Sequence, residues 1–90
     1  MQEKINSTLI GFDYGLKKIG VSIGNTVSGV ASPLKILYSK SKIEGLKAAK
    51  KEIFFWDPEL IVVGFPSHLD GKTHPLANNC KRFARNISFE

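Results

Sequence analysis

The sequence predicts an α/β fold in which three antiparallel strands are followed by a helix, a fourth strand and a second helix. Two observations lead to this prediction. Residues 8–37 contain three β-rich runs separated by turn residues, and a helical repeat, a short apolar run and another helical repeat then follow. Ninety residues suffice for one compact domain, so residues 1–90 are interpreted as a single domain.

The first three strands form a predicted antiparallel meander. They cover residues 8–13, 17–24 and 30–37, with turn residues at Gly15 and between 25 and 29. Pro33 has no amide hydrogen and cannot donate to a neighbouring strand in the middle of a sheet. We therefore expect the third strand to lie at an edge.

The first helix has a clear start and a clear end. Ser41 and Glu44 have the spacing of a capping box, which predicts that the helix begins there. An inward apolar stripe follows and stops before residues 57–58, where Asp-Pro ends the pattern. The stripe consists of Ile43, Leu46, Ala49 and Ile53. Lys47 and Lys51 fall outside it and are interpreted as a solvated helix face.

The second half of the pattern is a strand, a loop and a helix. Residues 60–64 (LIVVG) are typical of a strand buried on both faces, which we expect beside the first strand. A loop follows over residues 65–73, and Pro75 opens the second helix. Its inward stripe contains Leu76, Cys80, Phe83, Ala84 and Ile87, and its opposite side carries Lys81, Arg82 and Arg85. This stripe makes Cys80 a core residue.

Composition favours an anionic partner and a reducing compartment. Thirteen Lys and Arg against eight Asp and Glu give a net charge of +5, which suits nucleic acid. Cys80 is the single cysteine, so no internal disulfide and no cysteine-rich metal site can form. The first seven residues are polar and the next apolar run is too short for a signal core or a membrane span. We predict a cytoplasmic protein with no membrane association.

Asp13 is the strongest candidate for a functional residue. It ends the apolar run 9–15 (LIGFDYG) of a core strand, where a charged carboxylate needs a cation, donors or a metal to compensate it. Alternation puts it on one face with Leu9 and Gly11, and the glycine keeps the approach open. A metal ion or a phosphate could reach this carboxylate. The alternative is that Asp13 only ends the strand and stabilises the following turn.

Two further motifs lack the residues that their chemistry needs. Residues 71–73 (GKT) look like the end of a phosphate-binding P-loop, but Pro66 occupies the position where that loop requires glycine. His68 and His74 share one loop, yet no second cysteine and no helical His or Glu pair completes a zinc site.

Several segments in the right order resemble the YqgF/RuvX family. They are residues 9–15 (LIGFDYG), 17–22 (KKIGVS), 33–34 (PL), 56–66 (WDPELIVVGFP) and 69–71 (LDG). Members are described as pre-16S rRNA nucleases or Holliday-junction-resolvase-like proteins. The resemblance covers essentially the whole chain and implies an RNase H-like fold, in which three antiparallel strands precede parallel strands joined by helices. That order matches the elements above.

The resemblance implies a metal-dependent nuclease that processes the 5′ end of pre-16S rRNA, with branched DNA as the other substrate class. Asp13 would be a catalytic residue and a ligand of Mg²⁺ or Mn²⁺. From their charge and position, seven residues are candidates for contacts with nucleic acid, solvent exposure being the alternative for each. They are Lys17, Lys18, His68, Lys72, Lys81, Arg82 and Arg85.

The chain also departs from the family pattern. There, the matching carboxylate works with a Glu from an Asp-Glu-Arg motif and an Asp on the last helix, and neither has a counterpart here. Leu16 and residues 67–68 replace the usual Thr and Leu-Asn. We therefore expect a C-terminally incomplete fold that is inactive alone and self-associates through an exposed sheet edge. A non-catalytic or vestigial nucleic-acid-binding protein and an actin-like nucleotide-binding fragment remain the alternatives.

Overall fold

A computed structural model describes residues 7–64 and 77–87. In chain order it contains β1 (Thr8–Asp13), β2 (Lys18–Asn25), β3 (Val30–Tyr38), α1 (Lys42–Trp56), β4 (Leu60–Gly64) and α2 (Ala77–Ile87). The predicted order of elements is confirmed, and the strand ends agree to within one residue. The predicted loop over residues 65–73 and the helix start at Pro75 lie outside the described residues.

The four strands form one mixed sheet in the order β3-β2-β1-β4. β2 is antiparallel to both β1 and β3, whereas β4 is parallel to β1 and lies beside it as expected. Three antiparallel strands followed by a parallel strand after a helix are compatible with the RNase H-like fold. β1 is therefore a central strand, with a hydrogen-bonded neighbour on each side.

β3 is an edge strand, as Pro33 predicts. Pro33 lies opposite Ser22, and the β2–β3 register shifts between Val21 and Ser22, where β3 carries the extra residue Leu34. A proline and a bulge both discourage another strand from pairing here. β4 is the other edge among the described strands, and its five residues contain neither a proline nor a bulge.

Both described helices pack against one face of the sheet. The buried core there consists of Ile10, Phe12, Ile19, Val21, Ala49, Phe83 and Ile87. The Phe83 ring lies 5.7 Å from the Phe12 ring, edge-on, and 4.7 Å from the Tyr14 ring, which ties α2 to β1. Because side chains alternate along β1, burial of Phe12 on this face turns Asp13 to the other face.

The expectation that β4 is buried on both faces is wrong. Ile61 and Val63 pack against the core, but Leu60 and Val62 are 51% and 46% exposed. The reason is that α1 and α2 lie on the same side of the sheet, and within residues 7–64 and 77–87 no element covers the other side. A continuous apolar run predicted the strand but not its surroundings.

α1 begins and ends where the sequence predicts. The Ser41 hydroxyl oxygen accepts a hydrogen bond from the Glu44 amide at 3.1 Å, and the Glu44 carboxylate accepts one from the amide of Lys40. At the other end Asp57 adopts a left-handed conformation, with φ 46°, and its amide donates to the Ile53 carbonyl. Aspartate tolerates this conformation better than most residues, so it can end the helix without glycine.

The direction of the strands fixes where α1 lies. β1, β3 and β4 point the same way and end at one edge of the sheet, called here the carboxyl edge. α1 follows β3 and precedes β4, so it starts at the carboxyl edge and finishes at the opposite one. Its 15 residues correspond to a length of about 22 Å. No helix of the described part of the chain is long and apolar enough to cross a membrane.

Candidate metal and nucleic-acid site

Asp13 is the last residue of β1, and its side chain is exposed at the carboxyl edge. The strand register places it between Gly20 of β2 and Gly64 of β4. A Cβ atom built on Gly20 would lie 3.5 Å from the Cβ of Asp13. Because glycine stands on both sides, no neighbouring side chain in that row of the sheet shields the carboxylate. Among the described residues, none therefore blocks the approach of an ion or a phosphate from the β2 side or the β4 side.

The sequence interpretation of Asp13 needs one correction. β1 is a central strand, but the carboxylate lies at its exposed end and not in the core. Gly11, which the sequence singled out, has a different role. A Cβ at Gly11 would lie 3.0 Å from the Ser22 hydroxyl oxygen, so this glycine makes room for Ser22. Gly20 and Gly64 are the residues that open the approach to Asp13.

A shallow concavity of about 400 Å³ extends from Asp13 across the face of the sheet away from the helices. Its walls include Gly20 and Ser22 of β2 and Pro33 and Ile36 of β3. Sequence reasoning missed the Ser22 hydroxyl, although alternation from Gly20 places both residues on one face. Asp13 and Ser22 give the concavity a carboxylate and a hydroxyl.

Cys80 supports the carboxyl edge from the helix side. It is 1% exposed, as its predicted core position requires, and its thiol donates a hydrogen bond to the Gly64 carbonyl at 3.0 Å. Burial raises the pKa of the Cys80 thiol, and the charge of Asp13 raises it further. Burial also raises the pKa of Tyr14, with Cys80 as the second cause. Cys80 thus stays a neutral thiol that fastens α2 to the residue beside Asp13.

Among the described residues that were predicted to contact nucleic acid, Lys18 shares a face with Asp13. It is exposed and precedes Gly20 by two residues, so it is a diagonal neighbour of Asp13, about 7–8 Å away between Cα atoms. Lys17 is exposed in the bend before β2, where its carbonyl accepts the Ser39 amide at 3.0 Å. This end of β2 therefore carries positive charge close to the carboxylate.

The basic residues of α2 lie on the other side of the sheet. Lys81, Arg82 and Arg85 are exposed opposite the buried stripe of the helix, as predicted. Arg82 lines a small pocket of about 100 Å³ between α1 and α2, together with Tyr14 and Lys42. The structure therefore does not gather these residues around Asp13. His68 and Lys72, which were also predicted to contact nucleic acid, lie outside the described residues.

The described residues supply one carboxylate to a metal at this edge. In residues 7–64 and 77–87 no group of three or more His, Cys, Asp or Glu side chains could hold a metal ion. An exposed carboxylate suits Mg²⁺ as one ligand, because this ion binds oxygen and keeps several of its waters. Asp13 therefore fits as part of a coordination shell and does not build one alone.

Comparison with known proteins identifies the family. The family described as "RuvX: Holliday junction resolvase" matches residues 7–90. The chain belongs to the RuvX family. It is 40% identical over 84 residues to a protein of Shewanella denitrificans and 45% identical over 80 residues to one of Nitrosospira multiformis. Both relatives bear the name "Putative pre-16S rRNA nuclease".

The RuvX relatives are longer than this chain. The two matches cover 93% and 89% of the chain but only 60% and 53% of the relatives. The chain thus spans just over half the length of the curated RuvX proteins it matches. RuvX membership confirms the resemblance that the motifs in residues 9–15 and 56–66 indicated.

Proposed function

We propose that this protein acts as a metal-dependent nuclease in processing the 5′ end of precursor 16S rRNA. The observation that carries the proposal is the exposed Asp13 carboxylate at the end of the central strand, open between Gly20 and Gly64. Relatives named for this activity support the choice of substrate. Work on rRNA would place the protein in the cytoplasm.

Asp13 would bind Mg²⁺ or Mn²⁺ through its carboxylate oxygens. A divalent ion at a nuclease site activates a water molecule and stabilises the charge that develops on the phosphate. The contribution of this chain is to hold the ion at the carboxyl edge and to admit the phosphate backbone, since Gly20 and Gly64 add no side chain there. Lys18, on the same face, would attract the backbone by its charge.

One observation favours a second function, that of a non-catalytic nucleic-acid-binding protein. The described residues hold no cluster of metal ligands around Asp13. A binding protein would need the basic residues, such as Lys18 and Arg82, but not a complete metal site. Binding without cleavage would then be the whole activity.

The test uses the protein as produced from its own gene. It is incubated with 5′-extended 16S rRNA and with a four-way DNA junction, in Mg²⁺, in Mn²⁺ or in a chelator. We expect metal-dependent cleavage of the rRNA, lost in Asp13→Asn, which changes charge with little change of shape. Asp57→Asn is the matched control, because asparagine also adopts the left-handed conformation at the end of α1. Cleavage that survives Asp13→Asn would overturn the proposal, and RNA binding without any cleavage would favour the second function.

A further inference from the structure

Two adjacent phenylalanines at the end of α1 face the solvent. Phe54 is 89% exposed and Phe55 is 76% exposed, whereas Ile53 and Trp56 pack against the core. Helical spacing explains the split, because Phe54 and Phe55 each follow a lysine by four residues and so lie on the outer face. Neither ring contributes much to the core. A solvated face accounts for the lysines of this helix but not for two exposed rings.

The same outer face carries lysines without acidic partners. Both glutamates of α1 are already engaged, since Glu44 caps the helix and Glu52 forms a salt bridge of 2.9 Å with Lys35 on β3. Within the described ranges, no acidic side chain pairs with the other lysines of this face, Lys47, Lys50 and Lys51. Lys50 and Lys51 lie one turn from the exposed rings and Lys47 lies about two turns from Phe54, and none of them pairs with an acidic side chain of the described residues.

We propose that this face of α1 is an RNA-binding surface for an unpaired strand, separate from the Asp13 site. It is called here the α1 platform and consists of Lys47, Lys50, Lys51, Phe54 and Phe55. Unpaired bases stack on aromatic rings while lysines neutralise the phosphates between them, so the two residue types together match this ligand. Phe55 is held in place by Trp56, whose ring lies edge-on to it at 5.2 Å.

The chemistry of the platform favours RNA over a membrane surface. A helix that lies in a membrane interface needs an apolar face along its length. Here the exposed apolar side chains of this face are Ile43 in the first turn and the two rings in the last turn, and lysines interrupt them in the middle. The choice of RNA as the ligand rests on the function proposed above, but binding to the α1 platform does not depend on the metal site.

The position of the α1 platform indicates which part of an RNA substrate it would bind. Phe54 follows Lys42 by 12 residues, which places it about 18 Å further along the helix axis from the carboxyl edge. It also lies on the helix side of the sheet, away from the face that carries Asp13. The platform would therefore bind an unpaired flank of the substrate rather than the phosphate that is cleaved.

The test measures RNA binding in a chelator, where no cleavage occurs and no metal ion links Asp13 to the RNA. The probe is a fluorescein-labelled 12-nucleotide unpaired RNA, compared with the same sequence as a duplex. We expect Phe54→Ala/Phe55→Ala to raise the Kd for unpaired RNA about tenfold or more, and the duplex Kd much less. Val27→Ala is the matched control, because Val27 is 78% exposed in the β2–β3 turn, and its Kd should not change.

Two further measurements sharpen the result. Replacing Lys47, Lys50 and Lys51 together by glutamine should flatten the plot of log affinity against log salt by about 2 units. Trp56 is the only tryptophan, so RNA stacking beside it should quench the fluorescence of the wild-type protein. The single variant Phe54→Ala should weaken binding in the same direction as the double variant.

Three results would overturn the α1 platform as an RNA site. One is a double variant that binds unpaired RNA as tightly as Val27→Ala does. In the second, the double variant no longer binds phosphatidylserine vesicles but keeps its affinity for RNA, which would identify a membrane surface. In the third, the double variant sediments differently from the wild type but keeps its affinity for RNA, which would identify a contact between chains. Failure of the nuclease proposal would be seen separately, because it is read from cleavage in Mg²⁺ or Mn²⁺ and the α1 platform is read from binding in a chelator.

Discussion

Replacing Gly20 by alanine should separate access to Asp13 from the stability of the fold. The added Cβ would lie 3.5 Å from the Cβ of Asp13, an ordinary contact, and Gly20 is not among the described glycines with positive φ. Alanine therefore fits the backbone and loses less conformational entropy on folding, which predicts a gain of 0 to about 1 kcal/mol in the free energy of unfolding. For a domain of this size that is a rise of up to about 8 °C in Tm.

The same methyl group should weaken metal binding. It stands beside the carboxylate on the β2 side and narrows the approach for a hydrated ion. Loss of one water-mediated contact costs about 1 kcal/mol, which corresponds to about fivefold in the Kd for Mn²⁺. Free Mn²⁺ is measured by electron paramagnetic resonance during titration, and Tm is measured by circular dichroism on the same samples.

Gly15→Ala provides the contrast. A Cβ at Gly15 would lie 2.7 Å from the Lys18 carbonyl oxygen, so the backbone of the β1–β2 turn would have to move. We expect a loss of about 1–3 kcal/mol in the free energy of unfolding. The reasoning is refuted if Gly20→Ala lowers Tm as Gly15→Ala does, or if Gly20→Ala binds Mn²⁺ as tightly as the wild type.

Three further predictions follow from the described residues. Folding raises the pKa of Cys80 and of Tyr14. The stability that each contributes is therefore present below its ordinary pKa, 9.0 for Cys80 and 10.0 for Tyr14, and is lost as pH rises through its folded pKa. The urea midpoint should fall from pH 7 to pH 10, less so in Cys80→Ala, and a flat midpoint would contradict this. The edge position and the exposed face of β4 should make the chain self-associate. Val62→Lys should therefore reduce the sedimentation coefficient at high concentration, whereas the control Val27→Lys should leave it unchanged. Cleavage of pre-16S rRNA should stop when the metal is removed by a chelator and resume when Mg²⁺ or Mn²⁺ is restored, and cleavage that persists in the chelator would contradict the metal role of Asp13.

Local signals in the sequence were sufficient to predict the elements of the fold. The capping box at Ser41, the edge position of Pro33 and the stripe that buries Cys80 each depend on residues close together in the chain. The exposure of Leu60 and Val62 could not be predicted in this way. It depends on which face of the sheet the two helices cover, and a fully apolar strand looks the same in either case.

The residues of the site also divide into those that local sequence predicts and those that only the packing of the strands brings together. Asp13 could be found from its place in an apolar run, but its glycine neighbours Gly20 and Gly64 lie on two other strands and became neighbours only through the register. The outward position of Phe54 and Phe55 could have been found, because helical spacing that turns Ile53 inward must turn these residues outward. The solvated helix face was instead predicted from Lys47 and Lys51 alone.

The most direct test of the central claim is the affinity of the protein for Mn²⁺ with and without the Asp13 carboxylate. The ion is titrated into the wild type, Asp13→Asn and the control Asp57→Asn, and free Mn²⁺ is read by electron paramagnetic resonance. If Asp13 is a metal ligand at the carboxyl edge, the wild type and Asp57→Asn bind Mn²⁺ weakly and alike, and Asp13→Asn loses that binding. Equal affinity of Asp13→Asn and the wild type would contradict the claim.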